Sequence, residues 1–255
     1  MRYLNPIEIK KTNRAELKNS LKRHLGKNLE DGFASKLISF YAAKLNLGKD
    51  CKVLDLGTAS GAFAGQMLSN DYRNIWGVDI DNYIAEKNRP LFKDFQTADL
   101  NFDPIPWPDN FFDVATSWCV LPHLENPFHC VRETRRVLAP NSLFVFTAPN
   151  LASRASREYF LKNGDFGSYR KTNNHLVIFT PAIIDKAVLK YFDLLKIEYH
   201  VRDKIFRRGA KGALRKIIYN AAIRLSPKLL EFLKKRWAYN AVYILKKKPL
   251  NDNTN

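Results

Sequence analysis

The sequence predicts an α/β fold: a doubly wound, mostly parallel seven-stranded sheet with an antiparallel last strand, N-terminal helices, and a basic helical insertion before that last strand. Three observations carry the prediction. Short apolar runs alternate with helical spacing from residue 51 onward. The first run ends in a glycine-containing turn, Gly57-Thr58-Ala59-Ser60-Gly61, that opens into a helical pattern. Acidic residues Asp55, Asp79 and Asp99 mark the ends of three successive expected strands.

Taken in order, residues 7–30 are polar with weak helical spacing, and residues 33–45 place Phe33, Leu37, Phe40 and Tyr41 on one helical face. Residues 51–56 read as the first strand and 62–69 as the helix after the turn. Residues 74–79 form the second strand, followed by a helix over 83–92 that stops near Pro90. A short third strand is expected to end near Ala98-Asp99, a fourth spans 112–118, and a helix over 126–138 carries Pro127 in its first turn. Residues 143–148 make a fifth strand. Residues 150–179 show no clear period and read as an insertion. Thr180-Pro181 starts a helix, cap then proline, that runs to about Phe192. Residues 194–201 are the sixth strand, 204–236 are basic and helical, and 238–245 are the last strand.

The chain is therefore expected to be one domain over 1–255. A helical cap occupies 1–47, a ligand-binding half 48–150 and a substrate-covering insertion 151–179. A second half spans 180–248, including the basic segment 204–236, and a tail covers 249–255. No apolar run approaches the roughly 18 residues that span a bilayer, and the first six residues lack the apolar stretch of a secretory signal. Cys51, Cys119 and Cys130 are too scattered for a disulfide framework or a zinc site, and no acidic cluster suggests a metal. A cytoplasmic protein without a metal is expected. The net charge of +17 is unevenly spread: residues 31–200 hold nineteen basic and nineteen acidic groups, while residues 201–248 hold fifteen basic against two acidic. A neutral core with basic ends implies that any polyanionic partner meets the ends.

The chemistry concentrates at the first turn. There the strand ends and a ligand must approach the backbone closely, so Gly57 and Gly61 supply missing side chains where they are needed. The helix that follows aims its unpaired N–H groups at the ligand. Asp79 ends the next strand, 24 residues after Asp55, where an acidic side chain accepts hydrogen bonds from ribose hydroxyls. Asp99 follows the third strand, in place to receive an adenine amino group. Each alone can be an ordinary turn residue; one per successive strand end points to nucleoside binding.

These residues, with Gly77-Val78-Asp79-Ile80, the run Pro106-Trp107-Pro108-Asp109-Asn110-Phe111-Phe112-Asp113-Val114, then Val120-Leu121-Pro122-His123-Leu124 and Arg132 to Pro140, give residues 51–150 a plain resemblance. They resemble the class I S-adenosylmethionine (SAM)-dependent methyltransferases, in particular the small-molecule enzymes of the ubiquinone and menaquinone biosynthesis type. The resemblance implies a Rossmann-like core, SAM as cofactor, and methyl transfer as the reaction. It implies cofactor contacts from Asp55, Gly57, Thr58, Ala59 and Gly61 at the methionine end, Asp79 with Ile80 at the ribose, Asp99 with Leu100 at the adenine, and Trp118. Cys119 is expected to line the pocket wall. Ala59 departs from the family's middle glycine, Asn141-Ser142 from its usual Gly-Gly turn, and Pro122 beside His123 is expected to reshape the loop after the fourth strand. A looser resemblance, Pro149-Asn150, the insertion, then His175 to Thr180, points to methyltransferases of bacterial surface-polysaccharide and glycolipid synthesis.

A hydroxyl acceptor needs a base, which histidine can be near neutral pH. His123 follows the fourth strand and His175 sits in the insertion, so both are candidate catalytic bases; each can equally be structural. His24, His129 and His200 lack such context. Neither the Asn/Asp-Pro-Pro-Tyr sequence of base N-methylation nor a Pro-Cys nucleophile is present. A glycan or lipid-linked saccharide hydroxyl is the leading acceptor. A quinone-like small molecule, an RNA-binding methyltransferase and a non-catalytic SAM-binding module are the alternatives. In the basic segment, Leu214, Ile217, Ile218, Ala221, Ala222 and Leu225 form a helical stripe. Three outcomes are open: the stripe packs on the protein and the charges are solvated, the segment lies on the inner face of an anionic membrane, or it binds RNA with Tyr219, Trp237 and Tyr239.

Overall fold

A computed structural model describes residues 32–170, 174–201, 203–206 and 209–249. The helical expectation for residues 7–30, and His24 with it, lies outside these residues.

The elements follow in chain order: α1 Phe33–Lys44, β1 Val53–Leu56, α2 Ala62–Leu68, β2 Ile75–Asp79, a 3-10 turn Glu86–Leu91, β3 Asp94–Thr97, β4 Phe112–Ser117, a 3-10 turn Leu121–His123, α3 Pro127–Val137 and β5 Leu138–Pro149. Then come α4 Arg154–Asn163, α5 Pro181–Ala187, β6 Phe192–Tyr199, a 3-10 turn Asp203–Phe206, α6 Gly209–Leu225, α7 Pro227–Trp237 and β7 Asn240–Lys247. The seven strands form one sheet in the order β3-β2-β1-β4-β5-β7-β6. Strands β1 to β5 pair in parallel, and β7 runs antiparallel to both β5 and β6. This is the Rossmann-like sheet that the alternation predicts.

Period-two alternation sorts the side chains onto two faces. Phe144, Phe146, Tyr243 and Leu245 face a core closed by Cys130, Val131 and Val137 of α3 and Ile184 of α5. Leu143, Val145, Val242 and Ile244 face the opposite core, closed by Ala34, Ile38 and Tyr41 of α1 and Phe63, Ala64 and Met67 of α2. Each large side chain so buried contributes roughly 1.5–3 kcal/mol. Caps set the helix starts: Asn126 accepts from His129 N–H ahead of Pro127, Thr180 from Ile183 N–H ahead of Pro181, and Ser226 from Leu229 N–H ahead of Pro227. Arg136 ties down the loop before β4 through the Trp107 and Ile105 carbonyls, Asp109 and Glu133. Asn141 adopts φ 61°, the left-handed backbone expected where a Gly-Gly turn is missing.

Four elements differ from expectation. Residues 83–92 form only the short 3-10 turn, because the segment docks on the glycine loop. Ala85 N–H and Asn88 Nδ2 both donate to Ser60 O, at 3.1 and 2.8 Å, and Pro90 lacks an N–H for helix propagation. The aperiodic insertion contains α4, started by Ser153, whose hydroxyl accepts from Ser156 N–H; its exposed faces leave no apolar period to read. Helix α5 stops at Ala187, and β6 begins two residues before the expected strand.

Topology fixes where function can sit. Strand β6 leaves the sheet and β7 re-enters it at the carboxyl end of the parallel strands, since Pro149 at the end of β5 pairs with Asn240 at the start of β7. Helices α4, α6 and α7 therefore connect at the same end as the Gly57–Gly61 loop. Asn150, just past β5, donates from Nδ2 to the carbonyls of Lys235 and Ala238 at 2.7 and 3.0 Å, tying the end of α7 to the sheet.

Candidate active site

The turn after β1 is built by backbone conformations that few side chains tolerate. Gly57 has φ 71° and Gly61 φ 76°, and Ala59 between them also adopts φ 48°. A Cβ on Gly57 would lie 2.3 Å from Val120 Cγ2, so a glycine is required there on two counts. Gly57 N–H donates to Val78 O at 2.8 Å and Gly61 N–H to Thr58 O at 3.0 Å, while the Thr58 hydroxyl donates to Asp55 O at 2.9 Å. Ala59 occupies a left-handed position that glycine fills more cheaply. Its N–H is held by Asp79 Oδ2 at 2.8 Å, which draws the loop toward β2.

The three carboxylates stand at the carboxyl ends of β1, β2 and β3. Asp55 is buried in β1, its Oδ1 accepting from the Thr116 hydroxyl at 2.9 Å. Burial pushes its carboxyl up to about 7, partly opposed by that hydrogen bond. Asp79 closes β2 and accepts from Ala59 N–H and Ile80 N–H. Burial lifts it to about 6 against those two bonds. Each of its oxygens keeps a second lone pair for a hydroxyl donor. Asp99 is buried two residues past β3; its Oδ1 accepts from the backbone and side-chain nitrogens of Asn101 at 3.0 and 2.9 Å. Asn101 Oδ1 in turn accepts from Asn126 N–H, linking this loop to the start of α3.

Three buried atoms at this end have no hydrogen-bond partner among the described residues: Asp99 Oδ2, Ser117 Oγ and Trp118 Nε1. A buried acceptor left unpaired costs about 1–3 kcal/mol, and an amino group from a bound adenine would satisfy it. Together with the glycine backbone of the loop, this set suits a nucleoside with a cationic tail. Leu100 is buried beside Asp99, Ile80 is half-buried after Asp79, and the Trp118 ring packs 5.9 Å from Phe63. The cofactor residues read from the sequence thus gather around the ends of β1 to β4. Were SAM bound in this cleft, Asp79 and Asp99 would hold the nucleoside and the Gly57–Gly61 loop would face the methionine end; the sulfonium would supply an activated methyl group.

The loop after β4 differs in detail from expectation. Cys119, φ 58°, turns toward β5 and β7: its N–H donates to Thr147 Oγ1 at 2.7 Å, and its Sγ accepts from Asn240 Nδ2 at 3.5 Å. Val120, given no role by the run that contains it, is the side chain that lies on Gly57. Pro122 O accepts from Leu176 N–H and Val177 N–H at 2.7 and 3.2 Å, pinning the insertion to this loop.

That pinning brings His123 and His175 together, with ring centroids 4.3 Å apart. His123 N–H donates to Val120 O at 2.8 Å, so the pair stands one short turn from the side chain that covers Gly57. Nδ1 of His123 meets Asn174 O at 3.3 Å, and Nδ1 of His175 meets Ser168 O. A Nδ1–H donated to a carbonyl leaves Nε2 as the basic nitrogen of each ring. Burial, then the neighbouring His175, lowers His123 to about 4; burial lowers His175 as well. Both rings are neutral at physiological pH. His129 instead contacts Asp103 O and His200 stacks on Phe33, both away from this pair. A hollow of about 380 Å³ lined by Lys196, Ile197, Tyr199, Glu231, Phe232 and Lys235 lies at the β6 edge, four strands from β1, and is separate from the cleft.

Comparison with known proteins agrees with this architecture. The methyltransferase domain family matches residues 54–146. The ubiquinone/menaquinone biosynthesis C-methyltransferase UbiE of Paraburkholderia phytofirmans is 36% identical over 109 residues, 40% of this chain and 44% of the relative. A glycine/sarcosine/dimethylglycine N-methyltransferase of Actinopolyspora halophila is 22% identical over 130 residues, 49% of this chain and 23% of the relative. The chain thus spans less than half the length of these curated relatives. A SAM-dependent methyltransferase structure from Mesorhizobium loti superimposes with a TM-score of 0.51 at 17% identity, covering 82% of this chain and 97% of the other, a likeness of fold. The matched segment, residues 54–146, contains Asp55, the glycine loop, Asp79, Asp99 and the loop after β4, so the likeness to the methyltransferase domain family falls on the candidate cleft.

Proposed function

We propose that this protein is an enzyme that moves the methyl group of SAM to a hydroxyl of a glycan or lipid-linked saccharide. The observation that supports a hydroxyl acceptor is the His123–His175 pair, two neutral imidazoles beside the loop that covers Gly57. In the displacement the acceptor oxygen attacks the methyl carbon, the carbon–sulfur bond breaks, and S-adenosylhomocysteine leaves. The hydroxyl proton passes to an imidazole Nε2. His123, held near 4, is a weak acceptor for it; His175, kept neutral by burial, is the base, and His123 packs against its ring. The carbonyls of Ser168 and Asn174 fix the two rings. Proximity supplies the remainder of the acceleration.

A second reading is an apolar, quinone-type acceptor, favoured by the 36% identity with UbiE. The experiment is turnover of methyl-labelled SAM with extracted glycolipid, quinone and RNA pools side by side. Label in the glycolipid pool, released by acid cleavage as methylated sugar, is the expected result. Label in quinone or RNA alone overturns the saccharide acceptor. His175→Ala should lower turnover about a hundredfold or more with SAM affinity unchanged, and His123→Ala should lower it less. Full activity in both variants overturns histidine base catalysis.

A further inference from the structure

Helix α6 faces the wrong way for a helix of a soluble domain. Its inward side is Gly212 and Ala222, both buried, with the Tyr219 ring packed against Phe206 and Trp237 at 5.3 and 6.3 Å. Its apolar stripe points out: Leu214, Ile217, Ile218 and Leu225 are 58, 66, 39 and 81% exposed. At about 100° per residue, exposed Lys211 and Arg224 flank that stripe on either side. Helix α7 continues the surface with exposed Leu229 and Phe232, while its Leu233 turns inward. Across 209–237 there are eight Lys/Arg and one acidic residue, Glu231, and Glu231 is bonded to Lys196 at 2.7 Å.

An outward apolar stripe bordered by cations has a specific physical partner. The exposures show that the stripe does not pack on the described core. A nucleic acid takes up the cations but has no use for four exposed aliphatic side chains, and two of the three aromatic rings expected to stack on bases, Tyr219 and Trp237, are turned onto Phe206, with only Tyr239 of the three exposed. We propose that α6 lies flat on an anionic lipid bilayer, with Leu214, Ile217, Ile218 and Leu225 in the acyl boundary and Lys211, Arg224 and Lys228 at the headgroups. The 17-residue helix offers about 25 Å of contact. No described helix is long and apolar enough to cross a membrane, so the association is one of surface docking. Because α6 and α7 connect at the carboxyl end of the sheet, docking brings the open end of the cleft toward the lipid. This inference stands whichever acceptor is methylated.

The test is flotation of the full-length protein with vesicles of 30% phosphatidylglycerol in phosphatidylcholine, and with pure phosphatidylcholine, at low and high salt. Recovery is expected on anionic vesicles and to fall with salt, because exposed charges are screened beyond about 10 Å at 0.1 M. Lys211→Glu/Arg224→Glu should weaken binding at least about 25-fold, at about fivefold per basic residue. Ile217→Asp/Leu225→Asp should weaken it tenfold or more. All four positions are exposed, so melting temperatures should match the parent. Equal recovery on neutral vesicles, no recovery on anionic ones, or variants that float like the parent would each overturn the proposal, as would retention of RNA without vesicle binding.

Discussion

Asp55→Asn isolates one electrostatic cost of the site. Asp55 is buried in β1 and its carboxyl is raised from an ordinary 3.8 to about 7, chiefly by burial. Ionising it in the fold is therefore unfavourable. The sign follows from linkage: the neutral acid contributes stability that is fully present below about 4 and is lost as pH rises through about 7. At 1.36 kcal/mol per pH unit the gap corresponds to about 4 kcal/mol, of which about 3 falls between pH 5 and 8. Asparagine keeps Oδ1 as the acceptor for the Thr116 hydroxyl, now 2.9 Å away, and never ionises. Urea unfolding of both proteins without SAM at pH 5, 6, 7 and 8 reads the difference. The variant should gain about 3 kcal/mol on the parent between pH 5 and 8. A difference that stays constant with pH would refute a strained carboxylate. The same group makes a second prediction, since SAM carries an ammonium and a sulfonium that favour the ionised form: affinity should climb with pH up to about 7 in the parent and stay flat in Asp55→Asn.

Gly57→Ala adds a Cβ at φ 71°, 2.3 Å from Val120; it should lower stability by at least the roughly 1–2 kcal/mol of left-handed strain. Adding Val120→Ala should restore the steric part only, a partial recovery measurable in thermal melts. Asn150→Ala strands the carbonyls of Lys235 and Ala238, and each buried loss costs about 1–3 kcal/mol. Amide exchange should rise at the end of α7 and the start of β7, and uniform protection would contradict that role.

Much of the cleft was legible because its chemistry is tied to strand ends. Asp55, Asp79 and Asp99 mark β1, β2 and β3, and Gly57 and Gly61 mark a turn where φ is positive. The cap at Thr180 was equally readable, since it acts within three residues. What sequence could not supply is contact across distance. Val120 meets Gly57 only after β4 is laid beside β1, and Asn150 finds α7 some 85 residues away. The pairing of His123 with His175 depends on Pro122 O capturing Leu176 and Val177. Residues 83–92 carry a helical pattern, but docking on Ser60 outweighs local propensity. In α6 the stripe was visible, but its direction was not: periodicity names a face, and only packing of Gly212, Tyr219 and Ala222 shows that the other side turns inward.

The most direct measurement of the central claim is calorimetric titration of SAM into the full-length protein and into Asp99→Ala and Asp79→Ala. A single site is predicted in the parent, with no heat from NAD. Asp99→Ala removes the acceptor at Oδ2 that has no protein partner, and Asp79→Ala removes the acceptor for the ribose. At about 1.5–3 kcal/mol for a hydrogen bond to a charged group, each variant should bind SAM about ten- to a hundredfold more weakly. Absence of SAM binding in the parent, or affinity unchanged in both variants, would contradict the assignment of the cofactor cleft.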